Sequence, residues 1–279
     1  MGNHDSDLGK FLRARRDALQ PEDVGLRREP GRRVPGLRRE EVARLADISS
    51  EYYLRLEQGH DHQPSGQVLA ALSRALRLDA AGAEYLYGLV HPFRRQALVP
   101  RPRACPGEDL ESVVAAVRGA PAILVDSTKD VVASNRLARS MVQGWFRPGR
   151  NIVLNTFDPL VKSSMPGWPA HARSVVASLR LTADVRDTRL QEIVGTLSVR
   201  DEDFRRWWST HEVDAARRGA VPVAVDGAGV VTMRWQELSL PDRPGYALIV
   251  FTPADAEAER ALDVVHRRSL SRDELVPQG

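Results

Sequence analysis

Cysteine is almost missing from this sequence, which has one, Cys105, among 279 residues. A lone thiol excludes an intramolecular disulfide and a four-cysteine zinc site, and it fits a reducing compartment, the cytoplasm. Long apolar runs are missing too. None approaches the roughly 18 to 20 residues needed to cross a bilayer, and the start, Met1 to Asp7, is polar, so neither secretion nor a membrane partner is expected. There is no glycine-flanked nucleophilic serine, no HExxH pair and no glycine-rich phosphate loop, so no enzyme is expected. His60, Asp61 and His62 hold a metal only with help from elsewhere, and no metal is expected.

Net charge is small, +3 overall, but it is unevenly placed. Residues 1–104 carry 18 Lys and Arg against 14 Asp and Glu, whereas residues 105–279 carry 22 against 23. Within the first part, Arg27, Arg28, Arg32, Arg33, Arg38 and Arg39 crowd one short segment opposed mainly by Glu29. Such a density either solvates a loop or faces phosphate.

Apolar spacing divides the rest. Leu8, Phe11, Leu12 and Leu19 predict a first helix with Ser6 or Asp7 as cap, and Pro21 stops it. Further helices are predicted over Arg38–Ala46, over Ser50–Gln58 capped by Ser49, through Val68–Leu78, and from Ala80. Together they make an all-α module over residues 1–92 whose packing residues are complete by Val90. A proline-rich linker, 93–106, follows. Beyond it, five β-rich runs (Ala122–Val125, Asp130–Ala133, Val221–Val225, Val230–Trp235, Tyr246–Phe251) predict one antiparallel five-stranded sheet. The helical region between the hairpins, roughly 135–218, is expected to cover one face; with one helix before the sheet (about 109–118) and one after it (about 254–265), this gives an α+β domain over 107–265 and a flexible tail over 266–279.

The segment Leu37 to Gly59, LRREEVARLADISSEYYLRLEQG, has the helix, short turn and second helix of a helix-turn-helix. Ala43 and Ala46 are small where two helices cross, Ile48 fills the turn, and Tyr53 and Leu56 face inward. Ser50, Glu51, Tyr52 and Arg55 then face outward, with the chemistry to read base edges: arginine to guanine, glutamate to cytosine, serine to several acceptors. The partner implied is double-stranded DNA. One short helix reads few base pairs, so a homodimer on a near-palindromic site is expected.

With VPGLRREEVA and PSGQVLAALSRALRL, this run resembles the xenobiotic-response-element type of helix-turn-helix regulator. The later motifs AILVDSTKDVVASNRLA, PGWPAHARSVVASLR, LSVRDEDFRRWWSTHEV and LSLPDRPGYALIVFTPADAEAERAL resemble its MmyB-like branch, in which a PAS-like ligand-binding domain follows the DNA-binding module. The resemblance implies that Arg39, beside Arg38, contacts phosphate where the superfamily carries glutamine, that Ser49 caps, and that Ser50, Glu51 and Arg55 read bases. Asp47 stands where a glycine is common, and Ser134 where the branch has tryptophan, which removes an expected ring from the cavity wall. It also implies a small lipophilic effector such as a fatty acid, with no other cofactor, in a cavity between sheet and helices. Asn135, Trp168, His171, Trp207, Trp208 and His211 are the candidate ligand contacts, although aromatic and polar side chains at helical spacing also serve a core. The function that follows is a transcription regulator whose DNA affinity an effector modulates. The alternative is an enzyme or a carrier domain fused to a DNA-binding module, which clustered, perturbed acids or histidines in one cleft would mark.

Overall fold

The computed structural model describes residues 6–28, 31–32, 34–60, 63–91, 107–142 and 144–271, with side chains omitted at 107–109 and 269–271. The expected linker at 93–106, Cys105, Arg33, Asp61, His62 and tail residues 272–279 lie outside the described residues.

Five helices open the chain: α1 (Asp7–Ala18), α2 (Arg39–Leu45), α3 (Ser50–Glu57), α4 (Gly66–Ala75) and α5 (Ala80–Val90). Ser6, Ser49, Ser65 and Asp79 start four of them by accepting the backbone N–H of Gly9, Tyr52, Val68 and Gly82, groups that have no partner inside the helix. α1 packs on α3 and α5, α2 on α3 and α4, and α4 on α5. Phe11, Leu12, Leu37, Val42, Tyr53, Leu56, Leu69, Leu72 and Leu86 are fully buried between them, and Phe11 meets Tyr85 at 5.2 Å. Gly9 sets the α1–α3 approach, because a Cβ there would lie 2.2 Å from the Glu57 carbonyl oxygen.

The remaining elements, in chain order, are α6 (Gly107–Ala115), β1 (Ala122–Val125), β2 (Val131–Ser134), α7 (Arg136–Met141), α8 (Ile152–Thr156), α9 (Pro159–Ser164), α10 (Trp168–Thr182), α11 (Thr188–Arg200), α12 (Glu202–Ser209), β3 (Arg218–Val225), β4 (Gly229–Ser239), β5 (Ala247–Pro253) and α13 (Ala256–Ser271). The strands form one antiparallel sheet in the order β2-β1-β5-β4-β3. Side chains alternate across it as the strand period requires. Ile123, Val125, Val223, Met233 and Phe251 join a core with Met141 of α7 and Ala261 of α13. Ala122 and Leu124 turn the other way, onto Leu110 and Val114 of α6. Helices therefore cover both faces at the β1–β2 end, as suits a strand that is apolar at all four positions. α13 continues through Ser271, so residues 266–271 are helical. Among the described residues, no helix is long and apolar enough to cross a membrane.

Packing divides the chain into two units. The first takes residues 1–97 together with 202–215; the second takes 98–201 and 216–279. The helical module thus extends past Val90 to include α12. Phe204 and Trp207 of that helix, EDFRRWWS, are buried while Glu202, Arg205 and Arg206 are exposed.

Candidate nucleic-acid interface and ligand cavity

In the first unit, α2, a turn and α3 form the helix-turn-helix. Ala43 and Ala46 are buried at the crossing, and Ile48 N–H returns to the Ala43 carbonyl at 3.0 Å. Asp47 takes a left-handed backbone, φ 53°, so it supplies the conformation for which glycine is common at this position. Ser49 caps α3 as expected, accepting Tyr52 N–H at 3.1 Å, and Gly59, φ 70°, follows its end. Ser50, Glu51 and Arg55 are exposed; Tyr52 is half-buried. Arg55 reaches back over the Tyr52 ring at 5.6 Å and lies 3.9 Å from Glu51, a loose pair that DNA can displace.

The angle of α3 is held by a residue that sequence reading passed over. Glu57 is fully buried, with one oxygen accepting Arg16 Nε and the other Arg39 Nε, both at 2.7 Å. Arg16, also buried, reaches the Leu37 carbonyl at 2.9 Å, so α1, α2 and α3 meet at one carboxylate. Burial pushes the Glu57 carboxyl up, but the two guanidiniums outweigh it and hold the group below its ordinary value. Burial raises the neighbouring Tyr53 phenol well above its ordinary range. A signal existed: Tyr53, Leu56 and Glu57 stand at i, i+3 and i+4, one face of a helix.

Two arginines of the basic segment carry structural bonds as well. Arg39 has half its side chain exposed, but its Nε is committed to Glu57 before any phosphate arrives. Arg32 belongs to the fold, because its side chain is buried and pairs both oxygens of Glu41 at 2.7 and 2.5 Å. Bonding to Arg32 lowers the Glu41 carboxyl, which also accepts Arg38 N–H at 2.6 Å and so starts α2. Arg38 and Arg28 are closer to the surface, where they meet Glu40 and Glu22 at 3.5 and 3.4 Å.

The second unit encloses a cavity of about 360 Å³ between β3, β4 and β5 and the helices α8, α9 and α10. Its wall is mostly apolar: Trp145, Phe146, Ile152, Met165, Val175, Val221, Val223, Trp235, Ile249 and Phe251. Phe146 stacks on Phe251 at 5.2 Å. Polar side chains interrupt it, among them Asn155, Ser174 and Ser178, and one corner is charged. Lys129, with a left-handed backbone at φ 67°, directs Nζ to Glu237 at 3.3 Å, and the other Glu237 oxygen accepts Arg217 at 2.8 Å. His171 lines the cavity from α10, and burial lowers its pKa, favouring the neutral ring.

Of the six candidate ligand contacts, His171 alone lines this cavity. Asn135 instead caps α7 and binds the backbone of Ala122, Val117 and Ala120, tying β2 to the end of α6. Trp168 is buried against Phe157, its Nε1 on the Thr156 carbonyl at 2.7 Å and its ring under Lys162. Trp207, Trp208 and His211 belong to the segment that packs with the first unit. Ser134 lies in β2 away from the lining, and Trp145, Phe146 and Trp235 provide the rings in its place. Among the described residues, no group of three or more His, Cys, Asp or Glu is placed to hold a metal.

Two family models match the chain, and they divide it as the packing does except at residues 202–215. A helix-turn-helix domain model matches residues 7–86, and a model of the MmyB-like transcription regulator ligand binding domain matches residues 107–264. No curated protein matches the chain.

Proposed function

The chain belongs to the MmyB-like transcription regulator family, and from that premise we propose that an amphiphile with a lipophilic body, a fatty acid being the simplest, fills the cavity and changes DNA affinity. The chain is a DNA-binding regulator with a ligand-binding domain; the effector's chemistry and its effect are our reading. One observation carries it: a cavity of about 360 Å³ walled by aliphatic and aromatic side chains, within the roughly 300–1,000 Å³ usual for small-molecule sites. Lys129 and Glu237 at one corner, with Arg217 behind, favour a ligand that ends in a polar head.

On the DNA side, Ser50, Glu51 and Arg55 read base edges, Tyr52 supports Arg55, and Arg38 and Arg39 face phosphate. The protein acts as a cytoplasmic homodimer on paired half-sites, and it is not an enzyme. Mass spectrometry of small molecules released by denaturing the purified protein tests the effector class. An alkyl or otherwise lipophilic amphiphile is expected; a nucleotide or a sugar phosphate recovered in its place refutes the reading.

A further inference from the structure

Residues 202–215 fall inside the matched ligand-binding domain, yet they fold as part of the helix-turn-helix unit. Phe204 of α12 is fully buried and stacks on Trp208 at 5.7 Å. His211, φ 51°, follows the helix in a left-handed conformation that turns the chain. Just before it, the Thr210 carbonyl accepts Arg15 Nη2 of α1 at 3.3 Å. The next residue of α1, Arg16, holds Glu57 of α3. At its far end the segment runs into Ala216, which lines the cavity, and then into β3, whose Val221 and Val223 are also wall. β3 is an edge strand, paired only with β4, so shifting it breaks one ladder and not two.

We propose that residues 202–215 are the tether through which cavity occupancy reaches the recognition helix, being packed in the first unit, bonded to α1 through Arg15, and covalently continuous with the cavity wall. This deepens the reading above and rests on it. Coupling between two sites requires an element whose equilibrium each site biases. A ligand bears on Ala216 and β3, DNA fixes α3 and through Glu57 the helix α1, and residues 202–215 are joined to both.

The test uses the full chain in two arms. The first needs no effector: deuterium exchange is followed by peptide in Glu57→Gln, which loosens the α1–α3 join. Amides of α12 should lose protection by the same factor as α1 and α3, tenfold or more, while β1 and β5 keep theirs. An α12 that stays protected, or opens only with the sheet, overturns the tether. If Glu57→Gln does not fold, Phe204→Leu provides the reverse experiment, in which α1 and α3 must open with α12.

The second arm uses laurate as probe and a duplex selected from a random pool by the full chain. Arg15→Ala should reduce the laurate-induced change in DNA Kd to less than about a third of its original size, with laurate affinity and laurate-free DNA affinity within about twofold. A change of undiminished size in Arg15→Ala overturns the tether. If laurate leaves DNA affinity unmoved in the unsubstituted chain, the effector class is refuted, and the exchange arm decides the tether by itself.

Discussion

Glu57 in the first unit and Glu237 in the second are both carboxylates whose two oxygens each take a cation, and their surroundings differ. Glu57 is fully buried among Tyr53, Arg16 and Arg39, where close packing fixes three helices at one point. Glu237 has a matching pair, buried Lys129 and half-exposed Arg217, but it borders the cavity. The same ionic arrangement acts in one place as a pin and in the other as the polar corner of a container. A base-reading helix tolerates little displacement, whereas a sensor needs room for its ligand.

Breaking both carboxylates is the strongest test of that contrast. Glu57→Ala strands Arg16 in a packed interior and should cost about 3 to 5 kcal/mol. Glu237→Ala strands Lys129, which is also buried but has the cavity beside it into which water and the side chain can relax, so about 1 to 3 kcal/mol is expected. Urea unfolding followed by circular dichroism reads both, and equal losses would erase the distinction. Next in size is Arg55→Ala, which should cost about 1 to 3 kcal/mol on the best DNA site and leave random DNA nearly unaffected. Competition binding measures it; equal losses on both would make Arg55 a phosphate contact.

Val223→Phe sharpens the container half. It places a ring in the cavity that Val223 lines, so laurate binding by calorimetry should weaken at least tenfold, or about 1.4 kcal/mol, with the fold retained. Unchanged affinity would put the ligand elsewhere. A smaller effect is expected of Arg39→Ala. Its salt slope for DNA binding should fall by about one unit, and stability should fall by no more than about 1 kcal/mol because the side chain is half exposed. A slope that does not move would leave Arg39 only its structural bond.

The smallest effect is with pH. His171 and Glu57 both have lowered folded-state pKa values, so each adds stability above its unfolded value and loses it as pH falls through the folded one. The loss begins below 6.5 for His171 and below 4.5 for Glu57, so the ligand-binding unit should weaken first on acidification. Urea midpoints at pH 7.5 and 5.5 (~ two values bracketing the imidazole range) test this. His171→Leu should flatten that step, and a step that survives unchanged assigns it to another group.

How much of this was legible before folding depends on period. The five N-terminal helices and five strands carry enough repeats to be seen, and Ala122–Val125 coincides with its predicted span. α8 and α9 do not, because five and six residues hold too few turns to establish a spacing; their caps Asn151 and Asp158, with Pro159 at the start of α9, were the marks available. Glu57 was hidden by its charge, since a carboxylate on an apolar face reads as solvated until its cations are seen. Trp207 and Phe204 show which face of α12 is buried, but spacing along one helix says nothing about the partner. That is why Trp207, Trp208 and His211 were assigned to a ligand wall and belong instead to the DNA-binding unit.

The divided first unit also has a consequence for synthesis. Its opening stretch ends by residue 97 and its last piece begins at Glu202. At roughly 5 to 20 residues per second, the ribosome takes about 5 to 20 s to supply the intervening chain. Through that interval the nascent helix-turn-helix exists without Phe204 and Trp207. The DNA-binding unit thus receives its last packing residues only after most of the ligand-binding domain has been made.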